Sequence, residues 1–296
     1  FKQPCINRAN ESPMKANYLA ADTRKDRPQS VARALAEDVG SGDITAQLIP
    51  EDKQATAVVI SREAAVICGR PWVDEVFQQL DKNIEIEWHI SEGDSVKANQ
   101  TLFTLTGNAR VLLTGERAAL NFLQTLSATA TVASEYAALA PNSEIKILDT
   151  RKTIPGLRLA QKYAAAVGGC QNHRIGLYDA FLIKENHIAA CGGIRQAIEK
   201  AREICSDKPV EVEVENLDEL HQALAAKADI VMLDNFSPAD INALSSIELG
   251  NTKIEVSGDI TEEKLRAYNH KAINFISSGS ITKHIRAVDL SMRFVG

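Results

Sequence analysis

Six basic residues fall in three short stretches in the second half of the chain: Arg151-Lys152, His173-Arg174, and Lys184 with His187. Arginine grips a carboxylate or phosphate through two parallel hydrogen bonds, and lysine supplies a compact charge. That many cations at one place would repel one another unless an anionic ligand completed the site. A lone surface Arg or Lys is usually a solvated charge paired with Asp or Glu; recurrence at successive strand ends favours the ligand instead.

The acids form a second set. Glu211, Glu213 and Glu215 alternate with Val212 and Val214, so in a strand all three face one side. Asp234 follows the apolar run Val231-Met232-Leu233. A buried carboxylate must be paired or bind a metal. Glu213 and Asp234 are therefore candidates to share Mg2+, which takes a few carboxylates together with phosphate and water. Pairing with the nearby Lys and Arg explains them almost as well, and both states can alternate. Ser257-Gly258 and Ser278-Gly279-Ser280 expose main-chain N–H groups suited to a phosphate, with a helix expected from Ile281 onward. Arg117 is expected in the first turn of a helix running from Glu116 to about Leu139. The helix dipole disfavours a cation there, which invites a functional explanation, although Glu116 offers a mundane partner.

These groups need elements that converge. Residues 29–48 read as a helical segment, with Val31, Leu35 and Val39 on one face and a turn at Gly40–Asp43. Residues 55–106 read as strands. Ala57–Ser61 and Ala64–Gly69 flank Arg62-Glu63 like a hairpin, a short helix spans Trp72–Leu80, and Ile84–Ile90 alternates with period two. The stretch 92–105 has the turn-and-strand pattern of biotinyl and lipoyl carriers but lacks a modifiable lysine motif, so a structural sheet is the better reading. After residue 116, apolar strands recur at 145–148, 180–183, 210–214, 229–233, 253–256 and 273–276, with room for crossover helices between them. Six clear strands, with a seventh expected, point to a closed or nearly closed parallel barrel, whose active site lies at the C-terminal strand ends. No GxGxxG follows the first strand, which weighs against a dinucleotide-binding sheet.

Composition narrows the function. Lys plus Arg number 33 against 39 Asp plus Glu, a net charge of −6, which argues against non-specific nucleic-acid binding. The five cysteines show no CxxC spacing, so a reducing cytoplasm is expected rather than a disulfide framework or zinc site. No apolar run approaches the ~20 residues that span a bilayer, so no membrane partner is expected. Residues 1–28 are polar and read as a loose or helical arm without a signal peptide.

Thr150–Arg158, Asn172-His173-Arg174, Leu182–His187, Glu211–Glu215, Met232–Asn235, Glu255–Gly258 and Ser278–Thr282 resemble, in order and spacing, the signature stretches of quinolinate phosphoribosyltransferases. Glu37-Asp38, Gly42–Thr45 and Gly115–Asn121 extend the resemblance, which runs from about residue 30 to the end. One departure is Gly168-Gly169-Cys170-Gln171, where the family often has three glycines. The resemblance implies an α/β protein: residues 1–115 as a helical arm and sandwich-like open sheet domain, 116–286 as an incomplete, about seven-stranded α/β barrel, and 287–296 as a tail packing back on the first domain. It implies quinolinate and phosphoribosyl pyrophosphate as substrates, Mg2+ as cofactor and a homodimer. Arg151, His173, Arg174 and Lys184 would bind the quinolinate carboxylates, with Arg117 reaching in from the other subunit. Lys152 and His187 would help hold the phosphoribosyl pyrophosphate, Glu213 and Asp234 the ribose hydroxyls and magnesium, and Ser257, Gly258, Gly279 and Ser280 the 5-phosphate. Catalysis would then rest on Lys152, Lys184, Glu213 and Asp234. Three rival readings remain: the same transfer to another ring acid, a barrel enzyme using Lys184 as a Schiff-base nucleophile, and a carrier module built on residues 92–105.

Overall fold

The computed structural model of the chain describes residues 16–140, 142 and 144–295, with backbone alone for 16–21 and 262. Cys5 and residues 1–15 of the expected arm lie outside the described residues. In chain order, α1 (Ala16–Val39) leads to β1 (Gln54–Ser61), β2 (Ala65–Val66), α2 (Arg70–Leu80), β3 (Glu85–Trp88), β4 (Ser95–Val96) and β5 (Thr101–Asn108). The long α3 (Ala109–Ala138) follows, then β6 (Lys146–Leu148), α4 (Arg158–Val167), β7 (Phe181–Ile183), α5 (Glu185–Cys191) and α6 (Ile194–Ile204). Strands and helices then alternate as β8 (Val210–Val214), α7 (Leu217–Ala225), β9 (Ile230–Asp234), α8 (Pro238–Ala243), β10 (Lys253–Ser257), α9 (Glu262–Ala267) and β11 (Ile273–Ser277). The chain ends with α10 (Ser280–Lys283) and β12 (Leu290–Val295).

Two compact units are present: 16–135 with 152–170 and 281–296, and 136–151 with 171–280. The first is built on an antiparallel sheet of order β12-β1-β5-β3, with β2 and β4 paired separately. The alternation that marks β1 buries Ala57 and Val59 on one side, and these join Trp72, Phe77, Phe103, Leu105, Leu123 and Leu126 in one core. Each such large side chain contributes about 1.5–3 kcal/mol by leaving water. Gly115 lets α3 approach α2: a Cβ there would lie 2.6 Å from the Phe77 ring.

The second unit is a parallel sheet of order β6-β11-β10-β9-β8-β7 with helices between successive strands. One face is wholly apolar, with Val210, Val212, Val214, Val231, Leu233, Ile254 and Val256 fully buried. The opposite face carries Glu211, Glu213, Met232, Asp234, Glu255 and Ser257 in register across β8, β9 and β10.

Several expectations change. The sheet has six strands rather than seven. A single parallel bridge from Leu148 to Gln171 stands where a seventh would pair, because the Gly168-Gly169-Cys170 segment offers no apolar run to extend it. Ala57–Ser61 and Ala64–Gly69 do not form a hairpin: β1 pairs with β5 and β12, and β2 pairs with β4. The intervening Glu63 instead accepts from the Arg286 guanidinium and the Asp289 N–H. The first helix begins at Ala16 and runs through Pro28, whose carbonyl accepts from Gln79 Nε2 at 2.9 Å. The long helix starts at Ala109, so Arg117 lies in its interior and the first-turn dipole argument for it falls away.

Candidate active site

Parallel strands deliver their C-terminal ends to one side, and most of the polar residues flagged in the sequence sit there. Asp149, just past β6, is fully buried. Its Oδ1 accepts the His173 N–H at 2.9 Å and its Oδ2 accepts from Asn172 Nδ2 at 2.6 Å. That carboxylate hangs the 172–174 turn from the end of β6, a role the sequence did not reveal. Further on, the Ile175 N–H donates to Asp179 and Arg174 Nη1 donates to the Ala180 carbonyl at 3.2 Å.

The turn presents Arg174 beside Arg151. Burial, and then the neighbouring Arg151 charge, pull the Arg174 pKa below the usual guanidinium range, against the opposing pull of Glu211 and Asp179. Arg151 Nε is buried with no hydrogen-bond partner among the described residues. Two like charges held together, one with an unused donor, form a receptor for an anion.

His173 turns the other way. Its Nε2 lies 3.1 Å from Glu211 Oε2 and 3.5 Å from Glu255 Oε2, and its Nδ1 accepts the Arg174 N–H at 2.8 Å. Both ring nitrogens are thus engaged inside the protein. Burial opposes charge on the ring, but Glu255 and Glu211 outweigh it and raise the pKa to about 10. The Arg174 N–H works against a doubly protonated ring by claiming the Nδ1 lone pair. The cluster's extra proton is then best placed on Glu211, whose pKa burial and the Glu255 charge push up to about 7. In either arrangement the three groups carry one negative charge. Glu255 was not singled out from the sequence, although it alternates within β10 as Glu211 does within β8.

Lys184, beyond β7, forms an ion pair with Glu213 on β8. The Lys184 N–H also donates to His187 Nδ1 at 3.1 Å, which makes His187 an exposed cap of α5. Burial falls off along the strand, from Glu211 through Glu213 to the exposed Glu215. Asp234 shares the face of Glu213 and accepts from Asn235 Nδ2 at 3.0 Å. Asn235 has φ 55 and its N–H donates to the Ser257 carbonyl, tying the end of β9 to that of β10. Gly258 packs against it at φ 129, where a Cβ would lie 2.3 Å from Asn235 Oδ1.

At the end of β11 the Ser278 N–H reaches the Leu148 carbonyl and the Ser280 N–H reaches Ser278 Oγ at 3.3 Å; Gly279 lies in the turn between. The helix expected to follow, α10, is four residues long. A phosphate here would therefore rely on turn N–H groups rather than a helix dipole.

Two predicted residues belong to the other unit. Lys152 is exposed, and the loop it starts is held firmly: Thr282 Oγ1 donates to the Lys152 carbonyl at 2.8 Å and Gln161 Oε1 accepts the Ile154 N–H at 2.7 Å. Gln161 and Thr282 were not anticipated. Arg117 has a side chain 58% exposed and 4.0 Å from Glu116.

Known proteins resemble this chain in sequence and fold. The family models for quinolinate phosphoribosyl transferase match its N-terminal domain over residues 43–127 and its C-terminal domain over 129–293. A probable nicotinate-nucleotide pyrophosphorylase [carboxylating] of Bacillus subtilis is 40% identical over 257 residues, covering 86% of this chain and 89% of that protein. The chloroplastic nicotinate-nucleotide pyrophosphorylase [carboxylating] of Arabidopsis thaliana is 36% identical, covering 88% and 80%. The solved nicotinate-nucleotide pyrophosphorylase from Francisella tularensis superposes with a TM-score of 0.88 at 54% identity, covering 92% of this chain and 96% of that one. The chain belongs to the quinolinate phosphoribosyltransferase family.

Proposed function

We propose that this chain transfers the phosphoribosyl group of phosphoribosyl pyrophosphate to quinolinate, releasing pyrophosphate and carbon dioxide and forming nicotinate mononucleotide for NAD synthesis. The observation that carries this reading is the Arg151–Arg174 pair, with a buried Nε that has no partner. Two guanidiniums suit a dicarboxylate better than the single carboxylate of nicotinate. The names of the relatives point the same way.

The pyridine nitrogen is itself the nucleophile, so the protein mainly aligns reactants. Arg151 and Arg174 hold the ring carboxylates and aim the nitrogen at the anomeric carbon. As the N–C1′ bond forms, the bond to pyrophosphate breaks. Lys152 and His187 face the charge growing on the leaving group and Lys184 joins the arginines at the ring carboxylates, while Glu213 and Asp234 hold the ribose hydroxyls and face the charge growing at C1′. Ser257, Gly258, Gly279 and Ser280 seat the 5-phosphate. Loss of the 2-carboxylate leaves its electron pair on the ring carbon, stabilised by the adjacent cationic nitrogen until solvent supplies a proton.

Mg2+ fits the donors present. Glu213 and Asp234 are hard oxygen ligands on one sheet face, with no His or Cys between them, suited to a cation carried largely by the substrate's own phosphates. When bound, it would neutralise pyrophosphate charge. The resemblance further supports a homodimer in which Arg117 serves the neighbouring subunit's ligand. Among the described residues Cys68, Cys170, Cys191 and Cys205 form no disulfide, in keeping with a reducing compartment, and we place the enzyme in the cytoplasm. Among the described residues no helix is long and apolar enough to cross a membrane.

Product analysis tests the reading. Purified protein with quinolinate, phosphoribosyl pyrophosphate and magnesium should release nicotinate mononucleotide and carbon dioxide, while nicotinate in a parallel tube should not react. Turnover of nicotinate in preference to quinolinate would overturn the assignment.

A further inference from the structure

Next to Arg174 lies the buried cluster of His173, Glu211 and Glu255, whose polar atoms fall within 4.8 Å of one another. Glu211 is 2% exposed and Glu255 0%, and neither glutamate has a part in the transfer as described above. One histidine and two carboxylates could in principle hold a divalent metal. The main chain decides against it. The Arg174 N–H aims at His173 Nδ1 from 2.8 Å, and a nitrogen that accepts a hydrogen bond carries no hydrogen. A neutral ring then keeps its proton on Nε2, the atom that faces both carboxylates. A metal on Nε2 would move that proton to Nδ1 and leave two donors facing each other. The cluster is built around a proton.

Its geometry also shows what it holds. The 172–174 turn hangs from Asp149 at the end of β6 through the His173 N–H and the Asn172 side chain. The His173 ring reaches from that turn to Glu211 on β8 and Glu255 on β10, so the turn is tied to three strands of the sheet. The ring's far nitrogen then accepts the next main-chain N–H, that of Arg174. We infer that Glu211 and Glu255 are positioning residues: they anchor the His173 ring, and the ring fixes the main chain of Arg174 so that its guanidinium stands beside Arg151. The step from this anchoring to the binding of a ring carboxylate rests on the function proposed above; the anchoring itself does not.

The rival account is plain electrostatics, and it predicts the opposite sign. Two carboxylates under an anion site repel a dianion, so removing one should tighten quinolinate binding. Glu255 Oε2 stands 3.5 Å from His173 Nε2, an ion-pair contact in which neither carboxylate oxygen makes a hydrogen bond among the described residues; Glu255→Leu removes that polar contact and the charge, whereas Glu255→Gln removes the charge and keeps a polar group there. Two readouts are needed: the Michaelis constants for both substrates, and hydrogen–deuterium exchange at the Arg174 amide, which requires no substrate. Anchoring predicts that Glu255→Leu raises the quinolinate KM and speeds Arg174 amide exchange, each by on the order of tenfold. The KM for phosphoribosyl pyrophosphate should stay within about twofold, and Glu255→Gln should restore most of both effects. Tighter quinolinate binding in either variant, equal losses for both substrates, or unchanged exchange at Arg174 would overturn it. Should the leucine variant not fold, the double variant Glu211→Gln, Glu255→Gln decides by itself. Parental Arg174 exchange and a quinolinate KM within about threefold support anchoring, and tighter binding refutes it. A parent protein that ignores quinolinate would sink the proposed function, yet the exchange readout would still settle the anchoring.

Discussion

Lys184, just beyond β7, is paired with Glu213 on the neighbouring β8. Each serves as the other's counter-ion until a ligand claims them both. With Lys184 42% exposed, the pair adds little to stability, so its purpose is better sought in the reaction. Lys184→Met and Glu213→Gln should each lower kcat/KM by about 100-fold or more, and the double variant should lose far less than the product of the two. A double-mutant cycle on purified variants measures this. Strictly multiplicative losses would mean that the two side chains act independently.

Arg151→Ala should raise the KM for quinolinate by on the order of 100-fold while changing that for phosphoribosyl pyrophosphate much less. The buried Arg151 Nε has no hydrogen-bond partner among the described residues, so an incoming carboxylate is its natural acceptor. Steady-state kinetics with each substrate varied in turn separates the two, and equal losses would refute the assignment.

Gln161→Leu addresses the loop that begins at Lys152. Gln161 is fully buried; its Oε1 accepts the Ile154 N–H, and its Nε2 donates to Thr129 Oγ1 and the Thr282 carbonyl. Leucine would leave those groups buried without that partner, a loss of about 2–4 kcal/mol in unfolding free energy. Denaturant titration reads the stability, and the KM for phosphoribosyl pyrophosphate should rise as the loop slackens.

Gly258→Ala should damage the turn that closes β10. The residue sits at φ 129, and its new Cβ would collide with Asn235 Oδ1. Strain of about 1–3 kcal/mol is expected. Because Asn235 ties β9 to β10 beside Asp234, the KM for phosphoribosyl pyrophosphate should rise with the instability; a variant as stable and active as the parent would show that the turn is not under this constraint.

The His173 cluster gives stability a pH dependence of defined sign. Burial lowers the His173 pKa, but Glu255 and Glu211 raise it further, from 6.5 to about 10. Burial and then Glu255 raise Glu211 from 4.5 to about 7. In both cases the folded chain holds its proton more tightly than the unfolded chain. The two share one extra proton, held on Glu211 while the ring is neutral, so the contribution belongs to the cluster as a whole and is lost as pH rises from about 7 toward about 10. The denaturation midpoint should fall as pH rises from 7 to 10, and Glu255→Gln should flatten that decline. A midpoint that rises over this range would contradict the arrangement.

Strands β8 to β11 were readable because each is a short apolar run bounded by polar residues, and their parallel order follows from the helices that fit between them. The alternation in Val210–Val214 likewise placed Glu211 and Glu213 on one face. Pairing was less legible. The period-two pattern of β1 identifies a strand but not its partners, and those are β5 and the distant β12 rather than β2. The start of α3 was misplaced because the cap before it was passed over: Asn108 Oδ1 accepts the Arg110 and Val111 N–H groups, and Arg117 was misjudged with it.

The identities and order of the basic and acidic residues, and with them the family and a chemistry of polyanionic ligands, were determined by the sequence alone, since local composition sets strand and helix and parallel strands must deliver their ends to one side. Only the tertiary structure decided how the charges are shared. It turned His173 inward to Glu211 and Glu255, paired Lys184 with Glu213, and left the Arg174 guanidinium within the field of the Arg151 charge. Such choices depend on distances of a few ångströms between residues far apart in the chain, and at that range burial and Coulomb energy, rather than residue type, select each partner.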